Sequence, residues 1–303
     1  MTTASAAMPK KKKKRLSVAN TINYFVLFLL MFVCVYPMWY IFINSFSTPA
    51  SITRGVFLLP YDFSTEAYQN LGDITNIGSS IVVAVSRTVL GTILTVFCSS
   101  FSAYILAHRS LPCKKLFYRL FIVTMYLNAG FIPYYLTVSG IGLRNNFLVY
   151  ILPYAVQAYF IILIKTYIES IPGELVESAE IDGAGIVRIY WQMILPLSKP
   201  ILATIVVFAA VNQWNTWSDD MYFMQGRNSA NLHCLQYLLY QELQASSVVD
   251  TSSAGAAAGA GVKVSPTSLR MAMSFVTIFP ILCVYPFMQR YFVKGIMVGA
   301  VKG

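Results

Sequence analysis

The sequence predicts an all-α integral membrane protein: six transmembrane helices with a cytoplasmic helix–turn–helix loop. Three observations carry that prediction. The first is composition. Of 303 residues, 57% are hydrophobic and only 11% charged, and the mean hydropathy is +0.62. A soluble domain carries about a quarter charged residues, so this chain cannot cover a globular surface against water. That excludes a soluble enzyme, a secreted disulfide scaffold and a disordered chain. The second is the spacing of the charges. The stretches Leu16–Thr53, Thr88–His108, Leu120–Leu143, Asn145–Ile164, Pro200–Ser218 and Met271–Gln289 contain no Asp, Glu, Lys or Arg. The third is the distribution of basic residues between the stretches, which fixes orientation.

About 20 helical residues cross a hydrocarbon core of roughly 30 Å. Lipid requires every backbone group to be satisfied within the protein, and these runs lack the alternation of a barrel strand. The spans are therefore placed, in order, at Ile22–Phe42, Ile81–Ala107, Leu116–Thr137, Phe147–Tyr167, Ile201–Tyr222 and Met271–Tyr291. The first is longer than a signal-peptide apolar region of about 7–15 residues and is read as a retained span. With the N-terminus inside, 16 of the 22 Lys and Arg residues are cytoplasmic, as the positive-inside rule asks. This accounts for the net charge of +10 without nucleic acid. The run Lys10–Arg15 reads as a topology signal, or as a site for anionic lipid. Arg87, near the outer end of the second span, reads as snorkelling to the interface, and Asp219 and Asp220 as lying in the solvated end of the fifth.

The resulting layout is a basic tail over 1–20, a six-span membrane domain over 21–295, and a cytoplasmic tail over 296–303. Within the domain lie an inside loop at 170–199 and an outside loop at 223–268. Residues 245–262 of the latter include an Ala/Gly/Ser run that reads as a flexible linker. The five cysteines form no CxxC. Cys113 is expected to be reachable only from the inside and Cys234 from the outside. His108 and His233 are the only histidines and fall on opposite sides, which argues against a metal site or a His-based triad. No phosphate-binding GxxxxGK[ST] string occurs, so any ATP must be hydrolysed by another chain.

The inside loop carries the most information. Glu169, Glu174, Glu177, Glu180 and Asp182 place five of the chain's 12 acids within 14 residues. Pro172 suits the first turn of a short helix, Glu174 and Glu177 suit its positive end, and Asp182-Gly183 is a stop. A second amphipathic piece bears Ile186, Ile189, Tyr190, Met193 and Ile194 and is expected to end before Pro196. The plainer reading is a solvated loop with incidental charges. However, Glu177-Ser178-Ala179, then Gly183, then Met193-Ile194-Leu195-Pro196 resembles the EAA loop of ABC importer permeases. Ala179-Glu180-Ile181-Asp182-Gly183-Ala184 is similar to the carbohydrate-uptake branch, maltose-type and LplC-like. Ser178 and Met193 depart from that pattern conservatively. Ile132-Pro133-Tyr134-Tyr135-Leu136, Trp214-Asn215 and Tyr285–Gly295 extend the resemblance from about residue 77 to the end.

The resemblance implies an ATP-driven importer permease for an oligosaccharide or glycoside, not an enzyme. It implies that Glu174, Glu177, Ala179, Asp182, Gly183, Leu195 and Pro196 dock a cytosolic ATPase. It also implies a second homologous permease subunit, two copies of the ATPase to bind the ATP, and an extracellular solute-binding protein. The residues themselves leave open an ion-coupled carrier or channel subunit, whose signal would be ionisable groups inside spans. Candidates for the substrate path are Asn128, Gln157, Asn212, Gln213 and Asn215, with Trp214, Tyr134 and Tyr135 as aromatic faces. Each has an alternative role as interhelical glue or interface anchor.

Overall fold

A computed structural model describes residues 18–55, 57–72, 76–127, 129–252 and 266–300. Their organisation is helical, and the one bridge among them pairs Ser47 with Phe63. Three helices are long and apolar enough to cross a membrane unbroken, over Asn20–Ser45, Ile77–Ala107 and Thr267–Pro286. They lie within α1 (Val18–Ser45), α4 (Ile77–Ala107) and α14 (Pro266–Ala300). Small helices α2 (Pro49–Arg54) and α3 (Glu66–Gly72) link the first two. Three further helix pairs, each bent by more than 40°, bring the candidate crossings to as many as six by length and composition.

Each break has a local cause. The third span divides into α5 (Lys114–Tyr126) and α6 (Phe131–Gly140), bent by 115°. Gly130 takes φ +84°, open cheaply only to glycine, just ahead of α6. The fourth span opens as two 3₁₀ turns, Phe147–Tyr150 and Leu152–Tyr154, and meets α7 (Ala158–Ile168) at 44°. Asn146 caps the first turn by accepting from Leu148 N (3.0 Å), and Pro153 lies in the second. The fifth span is shorter than expected. The helix α11 (Lys199–Asn215) stops at Thr216, and the separate α12 (Ser218–Phe223) follows. The sixth lies inside the longer α14, which runs through Pro280 and Pro286.

The core is organised around α4, whose main partners are α11 and α7. Its buried face is a stripe of small residues, Ser80, Ala84, Gly91, Thr95, Ser99 and Ala103. Lipid supplies no hydrophobic drive between helices, so close approach over small side chains is what holds them. At Gly91 a Cβ would lie 2.6 Å from the Gln213 amide. By contrast, α1 packs on α14 and leaves most of its apolar surface exposed.

At the end of the bundle away from the 170–199 loop, a cap is formed by α12, a 3₁₀ turn (Arg227–Leu232) and α13 (Leu235–Ser252). Three sequence expectations are corrected here. Asp219 and Asp220 are buried rather than solvated, and Cys234 is fully buried rather than reachable. The backbone from 245 to 252 belongs to α13 rather than to a flexible linker, while 253–262 lies outside the described residues. Asp220 explains the burial. One carboxylate oxygen accepts from His233 Nδ1 (2.6 Å), the other from Cys234 N (2.5 Å), and Tyr150 OH donates to Leu232 O (2.9 Å). Cys234 in turn opens α13, its carbonyl accepting from Leu238 N.

The Asp220 bond raises the His233 pKa above its ordinary 6.5, against the opposing effect of burial. A raised folded value contributes stability that is full below the unfolded value and lost as pH rises through the folded one. Thermal melting of the purified protein across about pH 5.5 to 9 should show a stability loss on the alkaline side. His233→Gln should flatten that slope and cost about 1–3 kcal/mol at the acid end; an unchanged slope would refute the assignment. Thiol burial gives a second check. In opened membranes a hydrophilic maleimide should modify Cys113, which is exposed, and reach Cys234 only after denaturation. Labelling of native Cys234 would refute the packing of the cap.

Candidate functional site

The loop between α7 and α11 folds as a nub of two short helices. The first, α8 (Gly173–Ile181), begins one residue after Pro172, with Glu174 in its first turn. It stops as a paired αL motif. Gly183 has φ +79°, Gly183 N donates to Glu180 O (3.0 Å), and Ala184 N donates to Ala179 O (2.9 Å). These two bonds satisfy carbonyls that the helix end would otherwise leave open. The second piece does not end before Pro196. It runs through α9 (Ile186–Ile189), a π turn (Tyr190–Ile194) and α10 (Leu195–Leu197). Leu195 N reaches back five residues to Tyr190 O. The widened turn takes up the mismatch that a proline ring creates with the carbonyl four residues before it. The segment 186–197 then meets α11 at 82°.

One side of the nub is anchored. Ile189, Tyr190 and Ile194 are buried, Tyr190 OH and Ser100 Oγ share a hydrogen bond (2.7 Å), and Tyr104 OH donates to Ile186 O (3.3 Å). Val176, Ala179 and Leu195 pack half-buried against the same core. The other side is open. Ile181, Ile186, Val187 and Trp191 are exposed, Ile181 by 86%. Glu174, Glu177, Asp182, Gly183 and Pro196 are exposed as well, while Trp191 leans against Phe97 of α4, with ring centres 6.2 Å apart. The structure thus brings the seven loop residues together on one nub.

Sequence reasoning missed the cations facing this nub, because it counted them only as topology charges. Arg109 pairs with Glu177, His108 Nε2 lies 3.5 Å from Glu180, and Glu169 joins Lys114 (3.2 Å) to Lys165 (2.9 Å). Burial pushes the Glu169 carboxyl up, but the bonds from the two lysines outweigh it and hold it below the ordinary range. Gly173 leaves room for Arg109, since a Cβ there would lie 2.5 Å from its guanidinium. A cavity of about 400 Å³ lies between these groups, with Tyr104, His108, Val176, Glu180 and Ile194 in its wall. Glu177 therefore already has a partner in its own chain. Both side chains are largely exposed, and such pairs contribute about 0–1 kcal/mol, so a better-placed cation can displace Arg109.

The path candidates separate. Asn128 lies outside the described residues. Gln157 is half-buried at the break before α7. Asn212 and Asn215 are exposed on α11, but Gln213 and Trp214 are buried in the chain's own bundle. Trp214 Nε1 donates to Thr277 O (3.1 Å) and Gln213 Oε1 faces Arg87. The contacts of α11 with α4 and α14 turn that face inward, and Trp214, largely buried, also lines a cleft with Val211 and Tyr285. Tyr134 and Tyr135 pack on Phe223 in the distal core. Arg87 does not snorkel. It is fully buried and paired with Asp219 (3.8 Å).

The comparisons agree with this geometry. The family model for "Binding-protein-dependent transport system inner membrane component" matches residues 96–298. The polygalacturonan/rhamnogalacturonan transport system permease protein YtcP of Bacillus subtilis is 36% identical, over 91% of this chain and 96% of its own length. Protein LplC of the same organism is 34% identical, over 89% and 90%. Among solved structures, a chain of a bacterial ABC transporter that imports the acidic polysaccharide alginate superposes with a TM-score of 0.80. It is 28% identical and is covered in full by 94% of this chain. With about two thirds of its length inside the family model and nine tenths aligned to a relative, the chain belongs to the inner membrane components of binding-protein-dependent transport systems, the permease subunits of ABC importers.

Proposed function

We propose that this permease forms one half of the translocation path for an oligosaccharide, and that its 170–199 loop docks a cytosolic ATPase. The nub carries the proposal: it exposes the apolar Ile181, Ile186 and Val187 together with the acidic Glu174, Glu177 and Asp182, on a base packed into the core. An exposed apolar patch with a polar rim is what a protein partner covers. The sequence contains no phosphate-cradling motif, so the ATP belongs to that partner, present in two copies to serve two permeases. The second permease covers the exposed faces of α1 and α11, and an extracellular solute-binding protein delivers the substrate. The excess of basic residues beside the nub supports cytoplasmic termini.

The likeness to YtcP, a polygalacturonan/rhamnogalacturonan permease, and to the alginate transporter supports a polymer of uronic acids as the source of the oligosaccharide. The ion-coupled carrier is not supported: the buried charge expected of it, Arg87, is neutralised by Asp219 within the bundle.

Two substitutions test the docking. Glu177→Lys should reduce uptake of labelled oligogalacturonides to background while membrane insertion stays at the wild-type level. Gly183→Val should impair uptake more than Gly183→Asn, because a left-handed residue costs a β-branched side chain about 1–2 kcal/mol and asparagine less. Wild-type uptake in Glu177→Lys, or equal behaviour of the two Gly183 variants, would count against docking through this loop.

A further inference from the structure

Arg87 is among the largest fully buried side chains of the described residues, and docking does not explain it. Its Nη1 donates to the carbonyl of Thr216 (2.7 Å), and its Nη2 lies 3.5 Å from Gln213 Oε1 and 3.8 Å from Asp219. The guanidinium carbon sits 4.5 Å from the centre of the Tyr150 ring. Tyr134 OH in turn donates to Asp219 (3.5 Å). One side chain of α4 thus gathers α6, the 3₁₀ turn Phe147–Tyr150, the end of α11 and the start of α12.

Thr216 is where α11 stops. Its N–H still donates to Asn212 O, but its backbone is extended (φ −74°, ψ 121°). A carbonyl released at a helix break needs a partner wherever water is scarce, and Arg87 is that partner. As a purely structural staple the arrangement is poor. A buried ion pair at 3.8 Å recovers little of its desolvation, and apolar side chains of equal volume hold a bundle better. Arg87 Nε and Gln213 Nε2 are also buried with no hydrogen-bond partner among the described residues. Spare donors beside a loose pair are what a contact needs if it is to be remade when the helices shift.

The helices that meet at Arg87 also lead to the nub. Unbroken from Lys199 to Asn215, α11 extends about 25 Å from the nub to the Thr216 break. At its other end α4 reaches His108 and Arg109, which face Glu180 and Glu177. Rigid helices with one end on each site are a physical route for coupling.

We propose that Arg87, with Asp219, is a positioning residue for transport: it fixes the far end of α11 against α4, so that displacement of the nub is delivered to the distal cap. The inference rests on the permease reading, and the test separates the two. The permease is reconstituted in proteoliposomes with its companion permease, ATPase and solute-binding protein. ATP hydrolysis is measured with and without binding protein loaded with an oligogalacturonide, together with the amount of co-purified ATPase. If the wild type shows no stimulation, the permease reading fails at that point. With the wild type stimulated, Arg87→Gln and Asp219→Asn should each lower the stimulation ratio about fivefold or more with ATPase co-purification unchanged. Arg87→Lys, which keeps the charge but loses the fork, should fall between. A wild-type ratio in Arg87→Gln overturns the proposal. Should that variant fail to assemble, a wild-type ratio in Asp219→Asn overturns it alone.

Discussion

Backbone polarity in a medium without water is the constraint on which this architecture depends. A continuous helix without proline meets it alone, as α4 does, whereas Pro37 in α1 and Pro280 and Pro286 in α14 each withdraw one N–H from the ladder. A broken helix releases carbonyls that must find partners, and this chain has several breaks. Two of them are served by α4. Thr95 Oγ1 donates to Tyr154 O (2.8 Å) at the break in the fourth crossing, and Arg87 donates to Thr216 O (2.7 Å) at the end of α11. The small-residue stripe along α4 brings the broken helices within hydrogen-bond range. Gly91 shows how narrow the margin is, since a single methyl there would strike Gln213. The polar and the small residues of α4 are parts of one solution: close packing that lets irregular segments exist inside the bundle.

Irregularity recurs at the nub, the proposed docking face. At the nub, helix ends are closed locally, by the Gly183 stop and the π turn ahead of Pro196, which leaves side chains free to face outward. The ion pairs there differ in kind from the Arg87 cluster. Arg109–Glu177 is open to solvent, contributes little and can be exchanged. Arg87–Asp219 is dry, so removing one partner leaves an uncompensated charge. A permease that must bind, move and release has reason to keep its weak pairs at the proposed docking face and its strong dependences at the far end of the same helices.

Much of this was legible in the sequence, for identifiable reasons. Charge-free runs locate spans because burying charge in lipid is costly whatever the tertiary structure. The Asp182-Gly183 stop was legible because one residue type takes a left-handed turn cheaply. The misreadings concern tertiary partners. Arg87 near a span end looks the same in sequence whether it snorkels or pairs with an Asp219 that lies 132 positions away. Asp219 and Asp220 look solvated until His233 and Cys234 fold over the second of them. Pro196 reads as a helix stop because local rules assume four-residue ladders, and a π turn relaxes that assumption. Arg109 and Lys114 were visible as charges, but nothing local says that they face Glu177 and Glu169.

The polar turn at the end of α11 shows what the correction changes. The sequence grouped Asn212, Gln213, Trp214 and Asn215 because four such residues cannot all face lipid, and that argument holds. It does not say which of them face protein. Gln213 and Trp214 are absorbed by Arg87, Gly91 and Thr277 within the bundle. Asn212 and Asn215, three apart and therefore on one face, remain exposed. Amides on an outward face of a membrane helix are costly against hydrocarbon, so that face needs water or another chain. The surface left over is narrower than the original set: Asn212 and Asn215, with the exposed Phe208 one turn earlier on the same face.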